Sequence, residues 1–249
     1  MAGTVSAEVT DYKLGPGDVV HITVYRHDDL LTEDRITERG YITFPLLGEV
    51  QISGLTKVEA ERRIAEMLKV RELIKIPSVT LHVVQYHSHE VSVIGMVPKP
   101  DTFYIEKPSS LLEMLAKAGG ILPEGDDRIM LLQNKDGRDV KLEIDTKAML
   151  MQGKLNNNVN VADGDIIYVP PAPVFYVYGE VQHPGVYKLQ RDMTVLQALA
   201  VGGGLTSRGT DKGIQIIRHD TNGKIQTIDS QLTEIVQQDD VIKVKQSLF

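Results

Sequence analysis

Residues Val91–Ile121 recur as Phe175–Leu205, without a gap and at a constant offset of 84 positions. In that register Val93, Gly95, Val97 and Pro100 fall on Val177, Gly179, Val181 and Pro184. Further on, Leu112, Leu115, Ala116, Gly119 and Gly120 fall on Leu196, Leu199, Ala200, Gly203 and Gly204. Nine identities in 31 positions, with most other pairs conservative, mark an internal duplication. A chain that repeats itself at this period is built from modules rather than around one catalytic cleft. The 249 residues then divide most simply into three small domains, and a hydrophobic content of 42 % suffices to pack them.

Each copy carries the same succession of local signals. Val91–Val97 and Phe175–Val181 alternate around a glycine, as strands do. A proline-containing turn follows in each, then a short second strand through Phe103–Ile105 or Val186–Leu189. Ser110-Leu-Leu-Glu113 and Thr194-Val-Leu-Gln197 are capping boxes, in which hydroxyl and carboxyl or amide satisfy the exposed amides of a helix start. The helices stop at Gly119-Gly120 and Gly202-Gly203-Gly204, where glycine takes the left-handed conformation freely. Leu111, Leu112 and Leu115 give the first of them its buried face. A hairpin comes next: Ile129–Gln133 and Val140–Ile144 flank Asn134–Gly137, and Gln215–Arg218 and Lys224–Ile228 flank Thr221-Asn-Gly223. Asp163–Val169 and Asp239–Val244 each supply a turn and a closing strand. This is the order of an α+β β-grasp domain, a mixed sheet wrapped around one helix. The glycine triplet follows a helix instead of preceding one, and no Gly-Lys-Ser/Thr is present, so it reads as a helix stop and not as a phosphate loop.

The segment before the repeats is different. Tyr12–Asp18 reads as a turn, Val19–Tyr25 as a strand, and Arg35–Thr37 and Tyr41–Phe44 as strands flanking Glu38–Gly40, with Pro45–Ile52 continuing as a strand. A third capping box, Thr56 to Glu59 with Leu55 as its staple, opens a helix over Lys57–Val70, and Pro77–Val84 is the next strand.

Composition removes several functions. A net charge of −7 argues against nucleic acid, whose phosphates call for a Lys/Arg surplus. With no cysteine there is no disulfide, thiol nucleophile or cysteine zinc site. No apolar run approaches the ~20 residues of a membrane-spanning helix. The first eight residues have neither the basic nor the apolar region of a secretory signal. No cofactor is expected.

The ordered set Leu-Gly-Pro-Gly-Asp-Val-Val (14–20), Gly-Tyr-Ile-Thr-Phe-Pro-Leu-Leu-Gly (40–48), Gly-Leu-Thr…Glu-Ala (54–60) and Pro-Ser-Val (77–79) resembles the polysaccharide export domain. The duplicated units resemble the soluble-ligand-binding β-grasp (SLBB) domains that follow it in bacterial outer-membrane polysaccharide export proteins of the Wza type. The resemblance implies residues 1–10 as a flexible arm, 11–90 as the export domain, and 91–172 and 173–249 as two SLBB domains. It marks Gly15, Pro16, Gly17, Asp18, Pro45, Gly48 and Gly54 as structural motif residues of the first domain. Gly95, Pro100, Gly119, Gly120, Gly179, Pro184, Gly203 and Gly204 play that part in the repeats. It further implies a ring-shaped homo-oligomer in the periplasm at the outer membrane, through which capsule or exopolysaccharide leaves the cell without covalent chemistry. Its implied partners are the polysaccharide in transit, an inner-membrane polysaccharide co-polymerase that is often a tyrosine kinase, and no nucleic acid. Fuller relatives carry a lipidated N-terminal cysteine and end in an amphipathic helix. Here no cysteine exists and Leu232–Phe249 reads as turn plus strand, which implies either trimmed ends or work beside a separate outer-membrane barrel.

Eye-catching polar residues have plainer readings. His87 and His89 are expected on one strand face with His82 on the other, a poor metal set better explained as packed or interface histidines. Asp28-Asp29, Asp126-Asp127 and Asp239-Asp240 sit in turns, where Asp bonds its own backbone. Ser88-His89 is expected within a strand and no nucleophile elbow exists. Asn156–Asn160 reads as a solvated loop, its alternative being carbohydrate contact, and only Phe175, Tyr176 and Tyr178 cluster among the aromatics. The sequence thus favours a non-enzymatic export conduit. Its rivals are a monomeric module for a small molecule or oligosaccharide, a glycan-modifying enzyme, and a regulatory docking protein.

Overall fold

A computed structural model describes residues 12–107, 109–135, 138–151, 153, 158–219 and 223–247. The expected arm at 1–10 and parts of the turns at 134–137, 221–223 and 156–160 lie outside them. The fold is α+β, and the chain forms two compact units: Met1–Leu122 with Asp127–Val169, and Pro123–Asp126 with Pro170–Phe249.

The first unit holds two cores. In the first of these, strand Val19–Val24 lies between Thr32–Arg35 and Val79–Gln85, both antiparallel to it. Helix α1 (Lys57–Val70) covers the sheet with Ala60, Ile64 and Leu68, which meet Val20, Ile22 and Leu81. Its start is the expected capping box: the Glu59 amide donates to Thr56 Oγ1 (3.3 Å) and the Thr56 amide donates to Glu59 Oε2 (2.8 Å). That donation holds the exposed Glu59 carboxyl below its ordinary range.

Two expectations fail here. Arg35–Thr37 does not form a hairpin with Tyr41–Phe44, because Thr32–Arg35 pairs instead with the opening strand. Tyr41–Phe44 pairs with Gly48–Gln51, so Pro45–Leu47 is a turn and not a continuing strand. The turn closes through the left-handed Leu46 (φ 63°), a conformation for which glycine is the usual sequence signal.

The second core of this unit is the first repeat. Strand Glu90–Gly95 runs parallel to the closing strand Ile166–Val169, which is antiparallel to Arg128–Lys135. Asp101–Tyr104 and Arg138–Asp145 form the outer strands. Helix α2 (Leu111–Lys117) buries Leu111, Met114 and Leu115 against this sheet, with Leu112 partly covered. A short helix α3 (Thr146–Met151) follows the hairpin and inserts Met149 into the core. Among the described residues it has no counterpart in the second repeat, and no sequence signal announced it.

The second unit repeats the same strand order. Val174–Gly179 is parallel to Val241–Val244, which pairs with Gln215–His219; Gly185–Lys188 and Ile225–Asp229 are outermost. Helix α4 (Val195–Val201) caps as expected, the Gln197 amide donating to Thr194 Oγ1 and the Thr194 amide to Gln197 Oε1. Residues 123–126 belong to this unit. They run beside the linker, the Asp126 amide donating to Pro170 O (2.9 Å) and the Ala172 amide to Glu124 O (2.8 Å). Lys188 fastens them, its ammonium donating to the carbonyls of Pro123 (2.9 Å) and Gly125 (2.8 Å). After α4 the pattern returns: Thr210 N donates to Lys245 O (3.2 Å) and Ser247 N to Arg208 O (2.7 Å).

Candidate functional site

The buried polar groups are organised around one device used three times. Gly15-Pro-Gly-Asp18, Ala162-Asp-Gly-Asp165 and Gln237-Gln-Asp-Asp240 each turn the chain into a strand. In each, the residue before the last Asp is left-handed: Gly17, Gly164 and Asp239 at φ 92°, 77° and 62°. That brings the Asp carboxylate back to accept the amide three residues earlier, at 3.0, 2.9 and 2.7 Å. Asp18, Asp165 and Asp240 are buried. A buried carboxylate needs further donors, and each domain answers differently. Asp165 receives the Gln133 amide (2.7 Å), whereas Asp240 receives Arg218 through Nε and Nη2, both at 2.7 Å. Arg218 holds its proton more firmly for it, the hydrogen bond to Asp240 outweighing burial. Asp240 does bond its own backbone as expected, but no local signal pointed to the arginine.

Asp18 collects the most donors and ties the segment after Gln85 to the first domain. The amides of His87 (2.8 Å) and Ser88 (2.9 Å), the Ser88 hydroxyl (2.9 Å) and the Tyr12 hydroxyl (2.8 and 2.9 Å) all donate to it. Burial pushes the Tyr12 phenol well above its usual range; Ser88 opposes that shift and the Asp18 charge adds to it. Tyr86 moves the same way, by burial and by the charges of Glu106 and Asp18.

These bonds correct the reading of the histidines. The strand ends at Gln85, so neither His87 nor His89 lies on it, and Ser88-His89 is in a bend. Asp18 draws the amides of residues 87 and 88 out of sheet register. His87 packs edge-on against Tyr104 at 4.5 Å between ring centres, with its Nδ1 buried and unpartnered. His89 instead places Nε2 2.9 Å from Lys13 O and Nδ1 3.8 Å from Asp163. His82 lines a separate groove of about 360 Å³ with Tyr12, Thr56, Lys57, Val83 and Tyr86. Among the described residues no three His, Asp or Glu side chains are placed to hold a metal ion.

The remaining motif residues shape turns and close approaches. Pro45 and Gly48 bound the Leu46 turn, and the Gly54 amide donates to Leu14 O (2.7 Å). Gly95 and Gly179 are the telling pair. Each has φ near 95° (94° and 96°), and a Cβ on either would lie 2.1 Å from a closing-strand carbonyl, Val169 O or Val244 O. Pro100 and Pro184 stand in the turns after those strands; Gly119, Gly120, Gly203 and Gly204 all end helices at positive φ. Phe175 is core while Tyr176 and Tyr178 face solvent, so the three aromatics are not one cluster. A second groove, about 530 Å³, is lined by Glu106, Lys107, Ser109, Glu113, Ala116 and Lys117.

Known families match three successive segments of the chain. The profile of the polysaccharide biosynthesis/export proteins matches residues 6–84, and SLBB domain profiles match 89–169 and 174–229. The chain carries a polysaccharide biosynthesis/export profile followed by two SLBB domain profiles. It is similar to the EPS I polysaccharide export outer membrane protein EpsA of Ralstonia nicotianae, 27 % identical over 252 residues, which is 90 % of this chain and 65 % of that protein. The polysialic acid transport protein KpsD of Escherichia coli is 30 % identical over 173 residues, 69 % of this chain and 30 % of its own length. The capsule polysaccharide export outer membrane protein CtrA of Neisseria meningitidis is 27 % identical over 202 residues, 78 % of this chain and 48 % of its own. The chain thus spans less than two thirds of each. These families and relatives are named for export, not for catalysis.

Proposed function

We propose that this chain is a non-enzymatic subunit of a ring-shaped oligomer that conducts capsular or exopolysaccharide across the periplasm to the outer membrane. The observation that carries the reading is the domain series itself, an export domain and two SLBB domains aligned over 90 % of the chain with an outer membrane export protein. Two physical features support it. Both five-stranded sheets end in open outer strands, and lateral association of copies covers such edges. The buried carboxylates Asp18, Asp165 and Asp240 are engaged by neighbouring donors, a structural use and not a catalytic one. In this reading the polymer passes a wide hydrated lumen, an inner-membrane co-polymerase delivers it, and a separate outer-membrane barrel completes the path.

Light scattering coupled to size exclusion tests the reading. A closed oligomer of the 27.6 kDa chain, well above a dimer and constant over protein concentration, supports it. A strict monomer with tight one-to-one glycan binding overturns it in favour of the ligand-binding module.

A further inference from the structure

One pole of the first domain carries apolar side chains that the fold does not use. The loop after the opening strand, the Leu46 turn and the stretch following α1 meet there. Arg71 joins two of them, its Nη1 donating to Leu47 O (3.1 Å) and Leu46 O (3.4 Å). The Tyr25 amide donates to Ser78 O (2.9 Å) and joins the third. Tyr25 (68 % exposed), Leu46 (64 %), Val70 (80 %) and Ile76 (90 %) stand into solvent at this pole, with Leu31 and Leu73 beside them.

The backbone makes the exposure more telling. Five described residues other than glycine have positive φ, and three of them, Arg26 (63°), Leu46 (63°) and Glu72 (57°), are here. A bulky aliphatic residue in that conformation is strained, and Leu46 buries too little of its side chain to repay the strain within the fold. Strain kept without an internal return points to a contact outside the molecule.

The chemistry of the pole selects the contact. The amides of Leu47, Leu73 and Leu31 are bonded within turns, to Phe44 O, Leu68 O and Asp28 O. Amides bonded in this way enter an apolar phase at lower cost than open ones. Residues 25–31, 45–47 and 69–76 carry four exposed cations, Arg26, Lys69, Arg71 and Lys75, against three anions, Asp28, Asp29 and Glu72, in a chain of net charge −7. Arg26 lies over the Tyr25 ring at 5.2 Å, an aromatic–cation pair suited to a headgroup layer. We infer that this pole seats on an anionic bilayer surface, with Leu46, Val70 and Ile76 entering the acyl boundary. The inference is independent of ring formation.

Flotation of the full chain with vesicles of equal parts phosphatidylglycerol and phosphatidylcholine tests it. The chain is expected to float, and Leu46→Gly and Ile76→Ser each to lower the bound fraction about tenfold. Leu46→Gly relieves the strained φ, so its melting temperature is expected to stay at or above that of the parent. A parent chain that stays at the bottom of the gradient, as a protein-docking pole would leave it, overturns the inference. So does flotation that both substitutions leave unchanged, or that phosphatidylcholine alone supports equally. Light scattering on the same samples reads oligomer state separately, so failure here is distinguishable from failure of the conduit reading.

Discussion

At the scale of single residues, Asp18 does the most. It is fully buried and accepts donors from the start of its domain and from the segment leading to the first repeat. Asp18→Asn replaces one acceptor oxygen by a donor facing other donors, and is expected to destabilise the chain by about 3 kcal/mol, read by urea denaturation. Tyr12 adds a pH limit. Its phenol is held neutral in the folded state, so its contribution is complete below about pH 10, where a free phenol ionises, and drains away as pH rises further. Chemical denaturation across that range is expected to show a falling stability whose slope is flatter in Tyr12→Phe. Both residues stood in a motif legible in the sequence, yet the knot did not, because its donors at 87 and 88 lie some 70 positions away.

At the scale of elements, local chemistry was readable and cross-strand chemistry was not. All three capping boxes form as their hydroxyl and Glu or Gln spacing predicts, since a cap involves only residues within one turn. The Leu46 turn misled because its left-handed centre is a leucine where such turns usually place a glycine. The histidines misled because alternation continues past Gln85 while Asp18 removes the amides from the ladder. Gln133 and Arg218 occupy equivalent places beside Asp165 and Asp240, but the Gln133 Oε1 is buried without a partner. Gln133→Arg is expected to transplant the two-pronged pair into the first repeat and raise its stability by about 1 kcal/mol, seen as a higher melting temperature. Lys188→Met leaves the Pro123 and Gly125 carbonyls without their ammonium. Hydrogen exchange is expected to accelerate at Asp126 and Ala172 while the Val174–Gly179 strand stays protected.

At the scale of the whole molecule, the duplication made the two β-grasp sheets legible in strand order, and the family resemblance carried the rest. The chain nevertheless condenses into two compact units although it has three cores. Calorimetry is expected to resolve two transitions, with Asp18→Asn lowering only one of them.

The four residues 123–126 give this arrangement a practical edge. They lie in the sequence of the first repeat and in the body of the second unit. A protease nick or a cloning boundary placed in the linker at 170–172 therefore separates the sequence copies but leaves the second body missing a piece. Recombination that shuffled the repeats as cassettes would carry the same defect, each junction needing a matching stretch from upstream. The segment that duplicated and the segment that stands alone are different pieces of chain, and no single cut frees the second.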